Sequence, residues 1–285
     1  MKRTESIETI PCPLCGGAEH SAWAEERGFR TVRCASCRLL FVNPRPGLDS
    51  IDSAVRTGAH GDTAENLSVV ARRLPTKVFR YRAVLGRLFD DTWSRGQPIS
   101  WLDVGAGYGE VLEAVTRLAS AGSRVEGLEP MEPKAKSARA RGLSITQDYL
   151  RPTHPKVDVI SVVDVFSHIP QFQEFLADLR QVLNERGEVF IETGNLADVQ
   201  TRNEFPGELG LPDHLVFAGE SQLRSYLERA GFEIVRLEAE AIDGWVNLAK
   251  KIVKKVLGRP VLLAWPYTSK YRQLLVRARL RPTAN

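Results

Sequence analysis

The run Ile99-Ser-Trp-Leu-Asp-Val-Gly-Ala-Gly-Tyr-Gly109 decides how this chain is read. Ile99 to Val104 is a short apolar strand carrying Asp103 near its end, and it runs straight into Gly105-Ala106-Gly107-Tyr108-Gly109. Glu110 to Ala119 continues as a helical segment with Val111, Leu112, Val115 and Leu118 on its apolar side. A strand, a glycine-rich turn and a helix N-terminus form the first unit of a doubly wound α/β fold. The glycines let the backbone pass close under a bound nucleoside, with N–H groups turned toward it.

Downstream the alternation continues. Arg124 to Leu128 reads as the next strand, with Glu129 at its end, where an acid can accept hydrogen bonds from both ribose hydroxyls. Leu143 to Thr146 and Val157 to Val163 are further strand candidates, ending near Asp148 and Asp164. Gln171 to Leu183 is amphipathic, with Phe172, Phe175, Leu176, Leu179, Val182 and Leu183 on one side, and Gly187 to Gly194 is a buried strand. This βαβ succession predicts a mostly parallel, Rossmann-like sheet. Upstream, Asn66 to Trp93 reads as helix, with Val70, Leu74, Val78, Tyr81, Leu85 and Leu88 in one stripe that packs on the main domain, and Pro75 breaks or restarts it.

All four cysteines lie near the start, as Cys12-Pro-Leu-Cys15 and Cys34-Ala-Ser-Cys37. Two such pairs place four thiolates on one ion, the closed tetrahedral donor set of a structural Zn²⁺, with no open position for catalysis. A front module this small builds no sufficient core of its own, so the spacing predicts that the metal holds it together. Leu39 to Pro46 reads as a strand ending in a proline-punctuated turn.

With these motifs in view, the chain resembles a known family. Leu102-Asp-Val-Gly-Ala-Gly-Tyr-Gly109 is similar to the first motif of class I S-adenosylmethionine-dependent methyltransferases, and Gly127-Leu-Glu-Pro130 to their acidic second motif. The resemblance implies that Asp103 with Gly105, Ala106, Gly107 and Gly109 surrounds the methionine part of the donor. It implies further that Glu129 beside Pro130 holds the ribose, that Asp148 and Tyr149 lie by the adenine, and that Asp164 completes the donor set. Cys-Pro-Leu-Cys-Gly-Gly17 and Phe-Val-Asn-Pro-Arg-Pro46 ahead of these motifs resemble bacterial methyltransferases with an N-terminal zinc-binding domain, whose relatives mostly methylate sugars, often nucleotide-linked. Leu211 to Phe217 and Glu220 to Phe232 look like the same group.

Methyl transfer to a hydroxyl needs a base of near-neutral pKa beside the methyl group. The resemblance makes His168 the first candidate and His214, on a loop expected to cover the acceptor pocket, the second; bracing a loop is the alternative role for both. Carbon-methylating relatives often carry Glu just before the histidine, and Ser167 stands there in this chain. That favours O-methylation, with sugar C-methylation as an alternative. His20, His60 and His154 lie in segments without supporting chemistry and read as surface or loop residues.

Length and composition agree with a globular enzyme: 285 residues, 43% hydrophobic and 26% charged. Charges interrupt every apolar run before the ~20 residues a membrane span needs, and no signal peptide is legible at the start, so the expectation is a cytosolic protein. The net charge of +4 is unevenly spread. From Gly244 to Asn285 there are basic residues and no Asp or Glu, and the body before them carries the acidic excess. Trp245, Leu248, Ala249, Ile252, Val256 and Leu257 keep helical spacing among Lys250, Lys251, Lys254 and Lys255, and Trp265 and Tyr267 follow. Two readings stay open: peripheral contact with anionic lipid at the inner membrane face, or packing on the domain or a second subunit.

The expected organisation is a zinc module over 1–47, a helical connector over 48–98, a donor-binding domain over 99–243 and a basic, helical C-terminal tail over 244–285. The expected activity is S-adenosylmethionine-dependent O-methylation of a sugar, nucleotide-linked or lipid-linked, in polysaccharide or natural-product assembly. A different-class alternative is an RNA base methyltransferase gripping phosphates with the zinc module and tail. Cys12 to Pro46 is not strongly basic, so nucleic acid is the weaker partner. A non-catalytic member that only binds the donor or a partner is a third reading.

Overall fold

The glycine-rich turn after Val104 sits at the carboxyl end of an inner strand of a seven-stranded sheet. The computed structural model describes residues 6–58, 72–205, 207–241, 245–257 and 270–282. Its front segment comprises β1 (Ile7–Glu8), β2 (His20–Glu26), β3 (Phe29–Cys34), β4 (Leu40–Val42), β5 (Arg45–Pro46) and α1 (Leu48–Thr57). Two helices, α2 (Pro75–Leu88) and α3 (Asp90–Ser94), lead into the alternating part. There β6 (Ser100–Val104), α4 (Glu110–Thr116), β7 (Arg124–Leu128), α5 (Glu132–Arg139), β8 (Ile145–Thr146), β9 (Val157–Val163), α6 (Phe172–Val182) and β10 (Leu183–Gly194) follow. The chain continues with β11 (Val216–Phe217), α7 (Glu220–Arg229), β12 (Phe232–Ala241), α8 (Trp245–Val256) and β13 (Arg272–Leu280).

The sheet runs β12-β13-β10-β9-β6-β7-β8. Strands β10, β9, β6, β7 and β8 pair in parallel, and β13 is antiparallel to both of its neighbours. Strand order reverses between β6 and β9, and ligands of such sheets bind at the carboxyl ends of strands at that point. Trp101, Val159, Phe190 and Leu275 face one side of the sheet and pack with Val78, Tyr81, Leu85 and Leu88 of α2. The expected connector stripe is therefore real, but the helix starts at Pro75, where a missing N–H costs nothing. Leu74 N donates to Glu110 Oε1 at 2.8 Å, so a side chain from α4 caps this entry. Val70, His60 and Gly61 lie outside the described residues.

The front segment is not a separate module. Its four-stranded sheet runs β11-β4-β3-β2, so the edge strand comes from residues far down the chain. Cys12, Leu14, Leu39 and Phe41 belong to the same apolar cluster as Leu176, Ile191 and Tyr226. The buried Arg33 guanidinium donates to Ala197 O at 2.8 Å and Val199 O at 2.7 Å. A boundary at residue 47 therefore falls where no break in packing exists, because the small front sheet borrows its core from α6 and α7.

The expected helical tail is corrected in its second half. Residues 245–256 do form α8, but Arg272–Leu280 is the inner strand β13, paired on both edges. Arg277, which reads as tail charge, is 2% exposed and bonds Glu188 at 2.7 Å and Asp91 at 2.5 Å. Its guanidinium also lies 4.4 Å over the Phe89 ring. Partner carboxylates from distant segments are what allow a basic run to enter a sheet interior. Arg259, Trp265 and Tyr267 lie outside the described residues. Among the described residues no helix is long and apolar enough to cross a membrane.

Candidate active site

A cavity of about 760 Å³ opens at the carboxyl ends of β6, β7 and β9. Asp103, Gly105, Ala106, Gly107, Glu129, Pro130, Asp148, Tyr149, Asp164, His168 and His214 all line it. Gly109 alone of the expected donor residues does not. It is packed behind the loop at φ +82°, where a Cβ would meet Leu143 Cδ1 at 2.3 Å.

The turn after β6 owes its path to backbone freedom. Gly105 has φ +73° and its missing Cβ would meet Val165 Cγ2 at 2.4 Å, so only glycine brings the loop this close to β9. Gly107 has φ +56° and open space on its Cβ side, which leaves its backbone accessible from the cavity. Gly107 N donates to Glu129 Oε2 at 2.7 Å, and Met131 N donates to Oε1 at 2.9 Å. The Glu129 carboxylate thus fixes the loop to the start of α5 and keeps lone pairs for a ribose. Asp103 is buried and accepts from Ser161 Oγ at 2.5 Å. Burial pushes its carboxyl up to about 7, with the charges of Glu129 and Glu110 adding to the effect.

The far wall comes from a segment the connector reading left undescribed. Ile51, Asp52 and Val55 of α1 line the cavity, and the Arg56 guanidinium lies 4.7 Å over the Tyr149 ring. Asp148 accepts from Tyr149 N at 2.8 Å and pairs with Arg151 at 3.0 Å, which holds its carboxyl below the usual range. Asp164 adopts φ 56°, rare for a residue with a Cβ, and accepts from Gln273 Nε2 of β13 at 3.1 Å. A glycine loop, an open backbone face and acids at three strand ends fit the size and polarity of a nucleoside-bearing methyl donor.

His168 closes a short 3₁₀ turn after β9, and His214 belongs to the loop before β11. Leu215 N donates to Ser167 O at 2.7 Å and binds the two segments together. The imidazole rings then stand 4.6 Å apart, nearly edge to face. The His168 ring nitrogen Nδ1 donates to Asp213 O at 3.0 Å, with the Asp213 carboxylate 3.4 Å away. His214 Nδ1 donates to Leu209 O at 2.7 Å. A carbonyl acceptor requires the proton on Nδ1, so in the neutral form of both rings Nε2 carries the free lone pair.

The two rings are pushed apart in acidity. Burial opposes protonation of His168, but the hydrogen bond and charge of Asp213 outweigh it and raise its pKa, against the charge of Lys134. His214 is lowered, first by burial and then by the charge of His168. Ser167 led the sequence reading to a histidine without a carboxylate. Asp213 supplies one from the loop, so the argument against carbon methylation from Ser167 no longer stands.

Two further contributors were missed. Glu26, the last residue of β2, accepts from Leu209 N at 2.8 Å, Gly210 N at 2.7 Å and Leu211 N at 3.2 Å. Three consecutive backbone N–H groups on one carboxylate pin the loop that carries Asp213 and His214 to the front sheet. Arg27 beside it lines the cavity and pairs with Glu208 at 3.3 Å. Nothing in the local sequence marks either residue, because their partners lie in a distant loop. His20 lies within hydrogen-bond distance of Asn43 Nδ2, at 3.0 Å, and His154 pairs with Arg151; neither lines the cavity.

The four cysteines converge, as their spacing predicts. Cys12 and Cys37 sulfurs are 3.5 Å apart and Cys15 and Cys34 sulfurs 3.6 Å, far beyond a disulfide bond. All four sulfurs lie within 4.8 Å of one another, and metal–sulfur bonds of about 2.3 Å on one tetrahedral ion need this spread. The donor set fits a closed metal site.

Comparison with known proteins bears on this geometry. A family model described as a methyltransferase domain matches residues 72–237. No curated protein sequence matches the chain. A structure from Galdieria sulphuraria, assigned as a sarcosine dimethylglycine methyltransferase, aligns over 70% of this chain and 85% of its own at 15% identity and a TM-score of 0.50, a likeness of fold. The magnesium protoporphyrin IX methyltransferase of Synechocystis with bound S-adenosylmethionine covers 72% and 79% at 16% identity and a TM-score of 0.46.

Proposed function

Since this chain belongs to the methyltransferase-domain family and is an S-adenosylmethionine-dependent methyltransferase, we propose that it methylates a sugar hydroxyl, on a nucleotide-linked or lipid-linked glycan. The observation that carries the reading is the Asp213–His168 pair, lining the same cavity as the glycine loop. Support for a sugar acceptor comes from the cysteine-rich front and residues 211–232, which resemble zinc-domain sugar methyltransferases.

When bound, the donor supplies an electrophilic methyl on a sulfonium. Glu129 would hold the ribose, and Asp103 with the backbone of Gly105 to Gly107 would surround the methionine part. The acceptor oxygen attacks the methyl carbon in line, so the O–C bond forms as the methyl–sulfur bond breaks with its electron pair left on sulfur as a neutral thioether, and the acceptor O–H proton goes to Nε2 of His168. Asp213 orients that ring and stabilises its cationic form, as a carboxylate does behind a catalytic imidazole. His214, of lowered pKa, stays neutral beside it and offers the acceptor a second lone pair. Zn²⁺ on Cys12, Cys15, Cys34 and Cys37 is structural in this reading.

Carbon methylation is the second reading, because the Asp213–His168 pair equally suits removal of a carbon-bound proton. The test is transfer of labelled methyl from S-adenosylmethionine to lysate pools of nucleotide sugars, lipid-linked glycans and RNA. Label in a carbohydrate pool, on oxygen by NMR of the product, is the expected result. Label on carbon selects the second reading, and label in RNA alone overturns the acceptor class.

A further inference from the structure

Strands β12 and β13 are antiparallel neighbours, paired from Phe232 with Leu280 to Ala241 with Arg272. A turn of about two to five residues closes such a hairpin. Residues 242–271, which include α8, are therefore not required by the sheet. The end at which they leave it is the cavity end. Gln273, next to the re-entry point, pairs with Gly194 at the carboxyl end of β10 and donates to Asp164, which lines the cavity.

Among the described residues, the end of the inserted helix carries apolar side chains exposed to solvent. Ile252 is 45% exposed, Val253 58%, Val256 81% and Leu257 71%. Three on α8 and Leu257 just after it make this the largest local concentration of exposed large apolar side chains among the described residues. Their spacing repeats every three to four residues along one arc; by the same spacing Lys251, Lys254 and Lys255 belong to the opposite arc and Lys250 to its border. No Asp or Glu occurs from Gly244 to the end of the chain, whereas the preceding body has an acidic excess.

We propose that α8 docks the protein on an anionic lipid surface, with its apolar arc in the headgroup–acyl boundary and its lysines against lipid phosphates. An apolar arc flanked by lysines is what a helix lying in the plane of such a surface presents, and the local charge matches an anionic leaflet while the body does not. A two-fold contact between copies through α8 would instead line both rims with the same lysines. The chain leaves the sheet for α8 at the cavity end, after Ala241, and re-enters there at Arg272. The proposal extends the methyl-transfer reading only in making the acceptor membrane-borne.

The test is flotation of the full chain with vesicles of phosphatidylglycerol and phosphatidylcholine, and with phosphatidylcholine alone. The protein is expected to float with the anionic vesicles, not with the neutral ones, and to be released by high salt. The double variant Val253→Glu/Leu257→Glu is expected to cut the bound fraction at least about tenfold, with an unchanged melting temperature and donor affinity. Failure of the full chain to float on anionic vesicles, or equal flotation of the variant, overturns the proposal. So does a dimer in light scattering that the same two substitutions dissolve, since the face would then belong to a second copy. Flotation requires no turnover, so failure here leaves methyl transfer standing, and failure of methyl transfer leaves docking standing.

Discussion

In the proposed mechanism His168 must be neutral to accept a proton, and the Asp213 carboxylate sets the pH at which that imidazole is neutral. Its folded pKa is raised above the ordinary value of about 6.5. Turnover is therefore fully present at higher pH and is lost as pH falls through that raised value. Asp213→Asn removes the carboxylate and leaves burial dominant, so the acid limb of the kcat profile should move to lower pH; an unmoved limb would take Asp213 out of the mechanism. His168→Ala should lower kcat by about 10²- to 10⁴-fold while donor affinity, read by calorimetry, stays unchanged. Glu26 acts one step further back. Glu26→Gln gives up charge-assisted bonds to Leu209, Gly210 and Leu211. A fall in kcat of about tenfold is expected, with donor binding and melting temperature near wild type. A purely structural role would lower the melting temperature and spare kcat.

Strand β13 shows what an element can conceal when read alone. Its central arginine is held by Glu188 of β10, Asp91 of α3 and the Leu88 carbonyl, and Arg279 shares Glu188. Removing one partner of a buried pair strands the other, so Arg277→Ala should destabilise the fold by about 3–5 kcal/mol, measured by urea unfolding. A change under 1 kcal/mol would mean that water or Arg279 replaces it. Helix α1 is the second such element. It supplies a wall of the cavity, and Arg56 lies over Tyr149 on the expected adenine side.

Across the whole molecule, the cysteine cluster and the loop holding Asp213 and His214 are tied to the same packed body. The loop holding Asp213 and His214 is clamped by Glu26 on one side and by β11, paired to β4, on the other. Gln222 Nε2 donates to Cys37 O at 2.7 Å, tying α7 to the cysteine cluster. Stripping the metal with a chelator, or Cys15→Ser, should therefore lower the unfolding midpoint of the entire chain in one cooperative step and reduce turnover with it. Two separate calorimetric transitions with turnover intact would identify a detachable module instead. On the proposed mechanism the front segment would serve methyl transfer by holding this loop, without supplying a reacting group.

Local periodicity carried the strands from Ile99 to Gly194, the glycine turn, the acids at the strand ends and the paired cysteines, because each depends on neighbours a few residues away. The exposed apolar stripe of α8 was legible as periodicity, but whether anything covers it was not. The rest required closure of the fold. Asp213 reaches His168 across another strand and helix, Glu26 reaches Leu209 from the opposite end of the chain, and Arg277 enters the core only because Glu188 and Asp91 await it. A side chain's charge and reach are written in the sequence. Which partner stabilises that charge, and hence whether the residue is a base, a clamp or a core ion pair, depends on distances that only the packed sheet sets.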